Sequence, residues 1–483
     1  MEPVQLERFY LGCLAHASYM VASEGVAAVI DPQRDVDIYI ETAAARGWNI
    51  EHVIETHVHA DFVSGHSELA ERAGARIYLG EGSGAQFPHI AVKDGDEIRF
   101  GGCRLRFLQT PGHTIESICV LMEDCARPDR PAVVFTGDTL FVGDVGRPDL
   151  SPAHTPQQLA AILYQSLHQK LLTLPDDTEI YPAHGAGSLC GRQMSSESSS
   201  TIGRQRQTNY ALRARSAEEF VSLLIDNLAA APEYFATEVD LNRKGVGPLS
   251  QLPALQPLPP EAVVRLTREG AVVVDTRPST QFAAAHVPGS IHIALTGQYA
   301  SWAARILGLN TPIVIVGEDP DHIRESQMRL ARVGMETVLG YLEDGVAGWV
   351  RSGRELESIA QITVTDLADF VRSEPDQVTV LDVRESAELE AGAIANAVHI
   401  PLGKLQTRMA ELDTSRLVAV HCKGGYRSSI AASLLRRAGL RNITNVAGGF
   451  DAWKAAGLPC AEPESVAARA WHLEEDMFKA KRG

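Results

Sequence analysis

The sequence predicts an α/β multidomain protein: one large domain of mixed strands and helices, then two copies of a smaller α/β domain with parallel sheets. Three observations carry that prediction. From residue 10 to about 200, apolar strand-like runs alternate with helical patterns, which marks an α/β or α+β domain. Residues 272–293 and 379–400 repeat one another, the sign of a duplicated unit. The length of 483 residues makes about three domains at roughly 150 residues each.

In the large domain the strand candidates are SYMVAS, VAAVIDP, HVIETH, RIYLG, RLRFLQTPGH, SICVLM, PAVVFTGD and EIYPAHG. The helix candidates are VDIYIETAAARG, SGHSELAERAG and PQQLAAILYQSLHQKLLTL. A Ser-rich loop at 195–201 and a further helical stretch close this domain at 240. Residues 241–260 are rich in Gly and Pro and read as a linker. The repeats follow at 261–355 and 361–462, with a tail at 463–483. Asp275 corresponds to Asp382, Arg277 to Arg384 and Trp349 to Trp453. Each copy alternates strand and helix over about a hundred residues, as a parallel sheet requires.

Composition narrows the function. With 45% hydrophobic and 22% charged residues, the chain has ample material for globular cores. Asp and Glu outnumber Lys and Arg by 61 to 44, giving a net charge of -17, and no basic cluster offers itself to nucleic acid. No run of 18 apolar residues predicts a membrane span. The N-terminal segment has neither the basic nor the apolar stretch of a signal peptide, so the cytoplasm is expected. Seven cysteines without framework spacing read as free thiols in a reducing compartment.

Four strand candidates end in metal-ligand residue types. HVIET runs into His57, His59 and Asp61; RFLQTPG into His113; AVVFTG into Asp138; and IYPA into His184. One such histidine is ordinarily a core or surface residue, but four strand ends finishing this way indicate a metal centre. Imidazole and carboxylate suit zinc or iron, and strand ends hold ligands rigidly.

This pattern resembles the metallo-β-lactamase superfamily, whose signature is HxHxDH followed by a later His, Asp and His. The resemblance implies an αββα sandwich. Phe62 stands where the last His of HxHxDH belongs. In two-metal members such as glyoxalase II, that His helps hold the second metal, so the dinuclear reading is weakened. The pattern is most similar to the persulfide dioxygenase branch. That resemblance implies one Fe(II) per chain on His57, His113 and Asp138, with zinc as the alternative. His59, Asp61 and His184 would orient ligands or move protons around it. It also implies a low-molecular-weight thiol persulfide and O₂ as substrates, with sulfite and free thiol as products.

Arg147, in VGRPD with Asp149, is a candidate for a substrate carboxylate, equally well read as an ordinary loop charge. Arg204 and Arg206 form a small basic island, equally well read as surface charge. Cys190, six residues after His184, is either a sulfur relay facing the metal or a buried structural thiol. Cys13, Cys103, Cys119 and Cys125 read as packing residues, and Cys460 has no motif around it.

The second repeat contains a different chemistry. Cys422 follows an apolar strand directly, and the loop Lys423, Gly424, Gly425, Tyr426 and Arg427 leads into a helix. Successive backbone N–H groups, the helix N-terminus and Arg427 together favour a thiolate or a persulfide anion. Cysteine phosphatases share CxxGxR. The flanking LDVR with Glu388, GAIANAVHIP and NVAGGFDAW, and the six-residue spacing from Cys422 to Arg427, resemble a rhodanese instead. Ala393 replaces a His frequent in that family. In the first repeat the same loop reads VGEDPDHIRES: Gly317 replaces the cysteine, two acidic residues follow, and Pro320 removes an N–H. That copy is expected to be catalytically inactive, a spacer or dimerisation unit.

The whole order resembles bacterial persulfide dioxygenase–rhodanese fusions of the CstB type. The resemblance implies persulfide oxidation to sulfite at the iron, sulfur transfer through Cys422, and thiosulfate as the joint product in sulfide detoxification. A homo-oligomer, dimer or tetramer, is expected, with no nucleic acid or membrane partner. Two other readings remain open at this level: a dinuclear zinc thioesterase like glyoxalase II fused to a rhodanese, and a metal-fold scaffold for a sulfur carrier.

Overall fold

The structure is a computed structural model that describes residues 2–461 apart from 152, 227 and 229. The expected tail at 463–483 therefore lies outside the described residues. The chain divides into two compact units, residues 1–253 with 328–336, and residues 254–327 with those from 337 onward.

The first unit contains two six-stranded sheets. One runs in the order Gln5–Leu11, His16–Ser23, Val26–Ile30, Asn49–Ile54, Arg76–Gly80 and Ile90–Val92. The other runs Ser200–Thr201, Glu179–Pro182, Val133–Gly137, Ile118–Asp124, Cys103–Gln109 and Glu97–Phe100. The strand His16–Ser23 is buried throughout, and its alternate residues serve two cores, as a period of two requires. Ala17, Tyr19 and Val21 meet Leu105, Phe107, Val120 and Phe135 of the second sheet. Met20 and Ala22 face the other way, against Tyr39, Ala43, Leu69 and Ala70. Those residues come from the helices Asp37–Arg46 and His66–Ala73. The outer face of the second sheet is covered by Ala160, Leu163 and Leu167 of the helix Pro156–Gln169, with Phe220 and Leu224. The layers are helix, sheet, sheet, helix, the expected αββα sandwich.

The second unit confirms the duplication strand by strand. Its first sheet runs Pro257–Leu258, Val338–Leu342, Ile313–Val316, Val272–Asp275 and Ile291–His292, all parallel. Its second runs Ala360–Ile362, Ile443–Val446, Leu417–His421, Val378–Asp382 and Val398–His399 in the same sense. The paired residues do the same work in both copies. Asp275 holds Arg277 and Asp382 holds Arg384, each with guanidinium contacts to both carboxylate oxygens. Trp349 and Trp453 each donate an indole N–H to a carbonyl six residues ahead, at 3.0 and 2.9 Å.

The linker reading needs correction. The helix Phe235–Lys244 runs into residues 241–244, and Pro257–Leu258 is already an edge strand of the first repeat. Pro is tolerated there because an edge strand has one face free of ladder bonds.

Candidate metal centre and sulfur-transfer loop

Each expected ligand sits just past a strand end in the first unit. Asn49–Ile54 leads to His57, Cys103–Gln109 to His113, Val133–Gly137 to Asp138 and Glu179–Pro182 to His184. Donor atoms of His57, His113 and Asp138 lie within 4.8 Å of one another, and all three residues are buried. The partners of each ring fix which nitrogen faces the centre. Thr56 donates its hydroxyl to Asp31 at 2.9 Å, so it accepts from the His57 Nδ1–H at 3.0 Å. His113 donates Nδ1–H to the Arg147 carbonyl at 2.9 Å. Asp138 takes the His184 Nδ1–H on Oδ1 at 2.7 Å.

What remains is His57 Nε2, His113 Nε2 and Asp138 Oδ2, all buried and without a hydrogen-bond partner. Unpaired buried polar atoms are costly, and three converging on one point fit a metal ion. Burial, together with the neighbouring imidazoles, keeps His57 well below its usual pKa; burial also lowers that of His113. Burial opposes ionisation of Asp138, but His184, His57 and His113 outweigh it and hold the carboxyl well below its usual range. Neutral imidazoles and an ionised carboxylate are the states that bind metal. Close approach shapes the pocket too: a Cβ on Gly146 would lie 2.0 Å from the Asp138 carbonyl oxygen and 2.8 Å from His113 Nδ1.

The surrounding residues hold this set in place. His184 bridges Asp138 and Asp61, with Nε2 2.9 Å from Asp61 Oδ2, and these carboxylates raise its pKa well above normal despite burial. His59 Nε2 lies 3.2 Å from Asp31 Oδ1 and 3.3 Å from Glu55 Oε2. Phe62 is fully buried, its ring centroid 4.1 Å from that of His16 and 4.4 Å from that of His59.

In the second unit, Cys422 follows the strand Leu417–His421 and is buried. The N–H of Gly425 points at its Sγ, 3.1 Å away. Gly425 has φ +104°, a conformation that favours glycine. The loop backbone is fastened from the following turn, where Phe450 and Asp451 donate N–H to the carbonyls of Cys422 and Lys423 at 2.7 and 2.9 Å. A Cβ on Gly449 would lie 2.4 Å from the Cys422 carbonyl oxygen, so only glycine permits this closure. Lys423 and Gly424 are exposed. Arg427 forms a two-pronged pair with Glu388 at 2.5 and 2.7 Å, so its charge is shared with a carboxylate rather than reserved for the thiol. The Tyr426 hydroxyl donates to the Ala294 carbonyl of the first repeat at 2.9 Å.

Residues 11–184 match the metallo-beta-lactamase superfamily, and residues 259–352 and 363–456 each match the rhodanese-like domain. The chain is 32% identical over 253 residues to a hydroxyacylglutathione hydrolase of Methylococcus capsulatus, covering 52% of this chain and 86% of that relative. It is 33% identical over 204 residues to the mitochondrial persulfide dioxygenase ETHE1 of Homo sapiens, covering 41% and 70%. The solved metallo-beta-lactamase from Staphylococcus aureus aligns over 71% of this chain and 99% of its own, with a TM-score of 0.64 and 30% identity. The chain belongs to the metallo-beta-lactamase superfamily. Two rhodanese-like domains follow its metallo-beta-lactamase domain.

Three expectations change in this light. Arg147 is nearly buried and committed: it forms a two-pronged pair with Asp149 at 2.7 and 2.8 Å and donates to the Leu189 carbonyl at 3.0 Å. It braces the ligand loop and is not a free anchor for a substrate carboxylate. Cys190 is buried against the metal pocket, and burial with Asp61 and Asp138 nearby raises its thiol well above normal, which disfavours a free thiolate relay. Cys125 is exposed and Cys13 half-buried, so of the four cysteines read as packing residues only Cys103 and Cys119 are buried. Arg204 and Arg206 pair with Glu197 and Asp176, as ordinary surface charges do.

Sequence reasoning missed His16, Glu55 and Asn242. Asn242 donates to the carbonyls of His59 and Phe62, both at 2.8 Å, and accepts from the Ser64 N–H at 2.9 Å. It clamps the HxHxD loop from about 180 residues away in sequence, and no local signal announces that. In the first repeat, a Cβ on Gly317 would lie 2.8 Å from Ile323, and Asp319 caps the helix by accepting from the His322 N–H at 2.9 Å. The acidic loop there is spent on helix initiation. Ala393 exchanges backbone hydrogen bonds with Ala461 as His286 does with Glu357, so the missing His leaves that bridge intact.

Proposed function

We propose that this protein oxidises a low-molecular-weight persulfide with O₂ at a single iron(II) on His57, His113 and Asp138. In the same reading it transfers sulfane sulfur through Cys422 to give thiosulfate. The observation that carries the reading is the convergence of His57 Nε2, His113 Nε2 and Asp138 Oδ2 as unpartnered buried atoms. Two imidazoles and one carboxylate suit iron(II) and leave coordination positions open on one face. Likeness to a named persulfide dioxygenase and the two rhodanese-like domains support it.

Bound iron(II) supplies the redox chemistry that lets O₂ react with a sulfur anion. The residues supply the rest. His57 and His113 present fixed nitrogens because Thr56 and the Arg147 carbonyl hold their other faces. His184, between Asp138 and Asp61, holds a proton next to the reacting centre. Phe62 keeps one wall apolar. The balanced reaction is R–SSH + O₂ + H₂O giving R–SH, sulfite and two protons. At the second site the Cys422 thiolate attacks the sulfane sulfur of another R–SSH and releases R–SH. Sulfite then attacks the outer sulfur of the Cys422 persulfide, and thiosulfate leaves with the thiolate restored. Joining both sites in one chain raises the effective concentration of sulfite at Cys422.

The hydrolase relatives favour one second reading, a zinc thioesterase. The two readings separate in one assay. The Cys422→Ser protein should consume O₂ with persulfide at the wild-type rate and accumulate sulfite in place of thiosulfate. Thioester hydrolysis under argon without any O₂ uptake would favour the hydrolase instead.

A further inference from the structure

We propose that Tyr426 and Ser429, together with His292 of the first repeat, are positioning residues for Cys422. The first repeat is then a working wall of the sulfur-transfer site and not a spacer. This role rests on the proposed sulfur transfer through Cys422.

The helix Tyr426–Arg437 begins at the loop whose Gly425 N–H points at the thiol, and its residues 428–435 are all buried. Serine is an indifferent residue inside a helix, yet Ser428, Ser429 and Ser433 lie in that buried run. Ser428 turns back to the Gly425 carbonyl at 3.1 Å. The other two belong to a stripe, because Tyr426, Ser429, Ser433 and Arg437 are spaced to share one helix face. That face lies along Ile291–His292, the edge strand of the first repeat's sheet. Tyr426 donates its hydroxyl to the Ala294 carbonyl at 2.9 Å, and Arg437 donates to that of Gly289 at 2.6 Å. Between them, Ser433 accepts the His292 N–H at 3.0 Å, and Ser429 donates its hydroxyl to His292 Nδ1 at 2.8 Å. His292 accepts there because its Nε2–H goes to the Arg277 carbonyl at 2.9 Å.

The two copies show what the stripe is for. His399 donates Nε2–H to the Arg384 carbonyl at 2.9 Å, as His292 does to that of Arg277. That anchor therefore belongs to each repeat by itself, but the stripe does not. At the places of Tyr426 and Ser429 the first repeat has Asp321 and Arg324, both exposed and paired with each other. Only the copy with the cysteine carries the hydroxyls. The stripe starts one residue after Gly425, so its anchors fix the helix rotation that aims the Gly425 N–H at Sγ.

Rapid mixing of the full-length chain with excess thiosulfate tests this, with sulfur on Cys422 read by mass spectrometry. The Cys422 thiolate attacks the sulfane sulfur, the S–S bond of thiosulfate breaks, and sulfite leaves with the electron pair. In Tyr426→Phe and in Ser429→Ala the rate of that step should fall about tenfold, as a barrier raised by about 1.4 kcal/mol produces. The final yield of persulfide should match that of the wild type, because the site is present but misaimed. Asp321→Ala, at the matching place in the first repeat, should leave both rate and yield unchanged. Wild-type rates in both seam variants overturn the proposal, and so does a loss of yield at an unchanged rate, which marks a merely structural role. A wild-type chain that takes no sulfur onto Cys422 overturns the transfer reading itself, and this role with it.

Discussion

His113 donates its Nδ1–H to the backbone carbonyl of Arg147 across 2.9 Å, and that contact leaves Nε2 as the nitrogen turned toward His57 and Asp138. The carbonyl is fixed in turn by the Arg147 side chain, which Asp149 holds in a two-pronged pair. A surface-looking VGRPD loop thus orients a buried imidazole.

Replacing Asp149 with Ala should therefore weaken metal binding without touching a ligand. Loss of an outer hydrogen-bond partner typically lowers affinity about 10–100-fold. Competition against a chelator of known strength measures it. Unchanged affinity would mean that the loop stays in place without the pair.

Phe62 is fully buried among His16, His59 and His184. Phe62→Ala should destabilise the metallo-beta-lactamase domain by about 3–5 kcal/mol, while Phe62→Leu costs less than half of that. Urea unfolding of the metal-free protein, following that domain's own transition, gives the comparison.

Both guanidinium prongs of Arg427 are on the Glu388 carboxylate, so in the proposed sulfur transfer Glu388 would compete with an incoming sulfur oxyanion for Arg427. Glu388→Gln should lower the KM for sulfite or thiosulfate several-fold, with O₂ uptake at the metal centre unaffected. A raised KM would show that Glu388 holds Arg427 in its working position.

His66 titrates against stability on the acid side. Burial, with a contribution from His59 and Arg34, pushes its pKa down to about 3. The folded value lies below the unfolded one of about 6.5. Below pH 6.5 the unfolded chain takes up a proton that the folded chain refuses. Stability is therefore lost as pH falls from about 6.5 toward 3, by at most about 1.4 kcal/mol per pH unit. His66→Leu should flatten the pH dependence of metal-free unfolding over that range. An unaltered slope would place the acid sensitivity elsewhere.

The convergence of His57, His113 and Asp138 was legible because four strands each end in a residue of a metal-ligand type, and the Cys422 loop because a Gly-Gly turn follows it. The duplication was legible down to the Asp–Arg and Trp pairs. Long-range contacts were not. Asn242 lies in a helix whose pattern says nothing of the HxHxD loop, and the two-pronged pairing of Arg427 with Glu388, 39 residues away, emerges only in the folded chain. The strand Gln5–Leu11 escaped notice because charged residues interrupt its apolar positions. The linker was drawn too wide because Pro and Gly were read as loop where one Pro opens an edge strand.

The most direct test of the central claim is oxygen uptake by anaerobically purified, iron-loaded protein given a persulfide, with metal content measured on the same sample. The account predicts O₂ consumption that depends on iron bound at His57, His113 and Asp138, with sulfite or thiosulfate appearing in step. No oxygen uptake from protein with iron in that site, together with hydrolysis of a glutathione thioester, would contradict it.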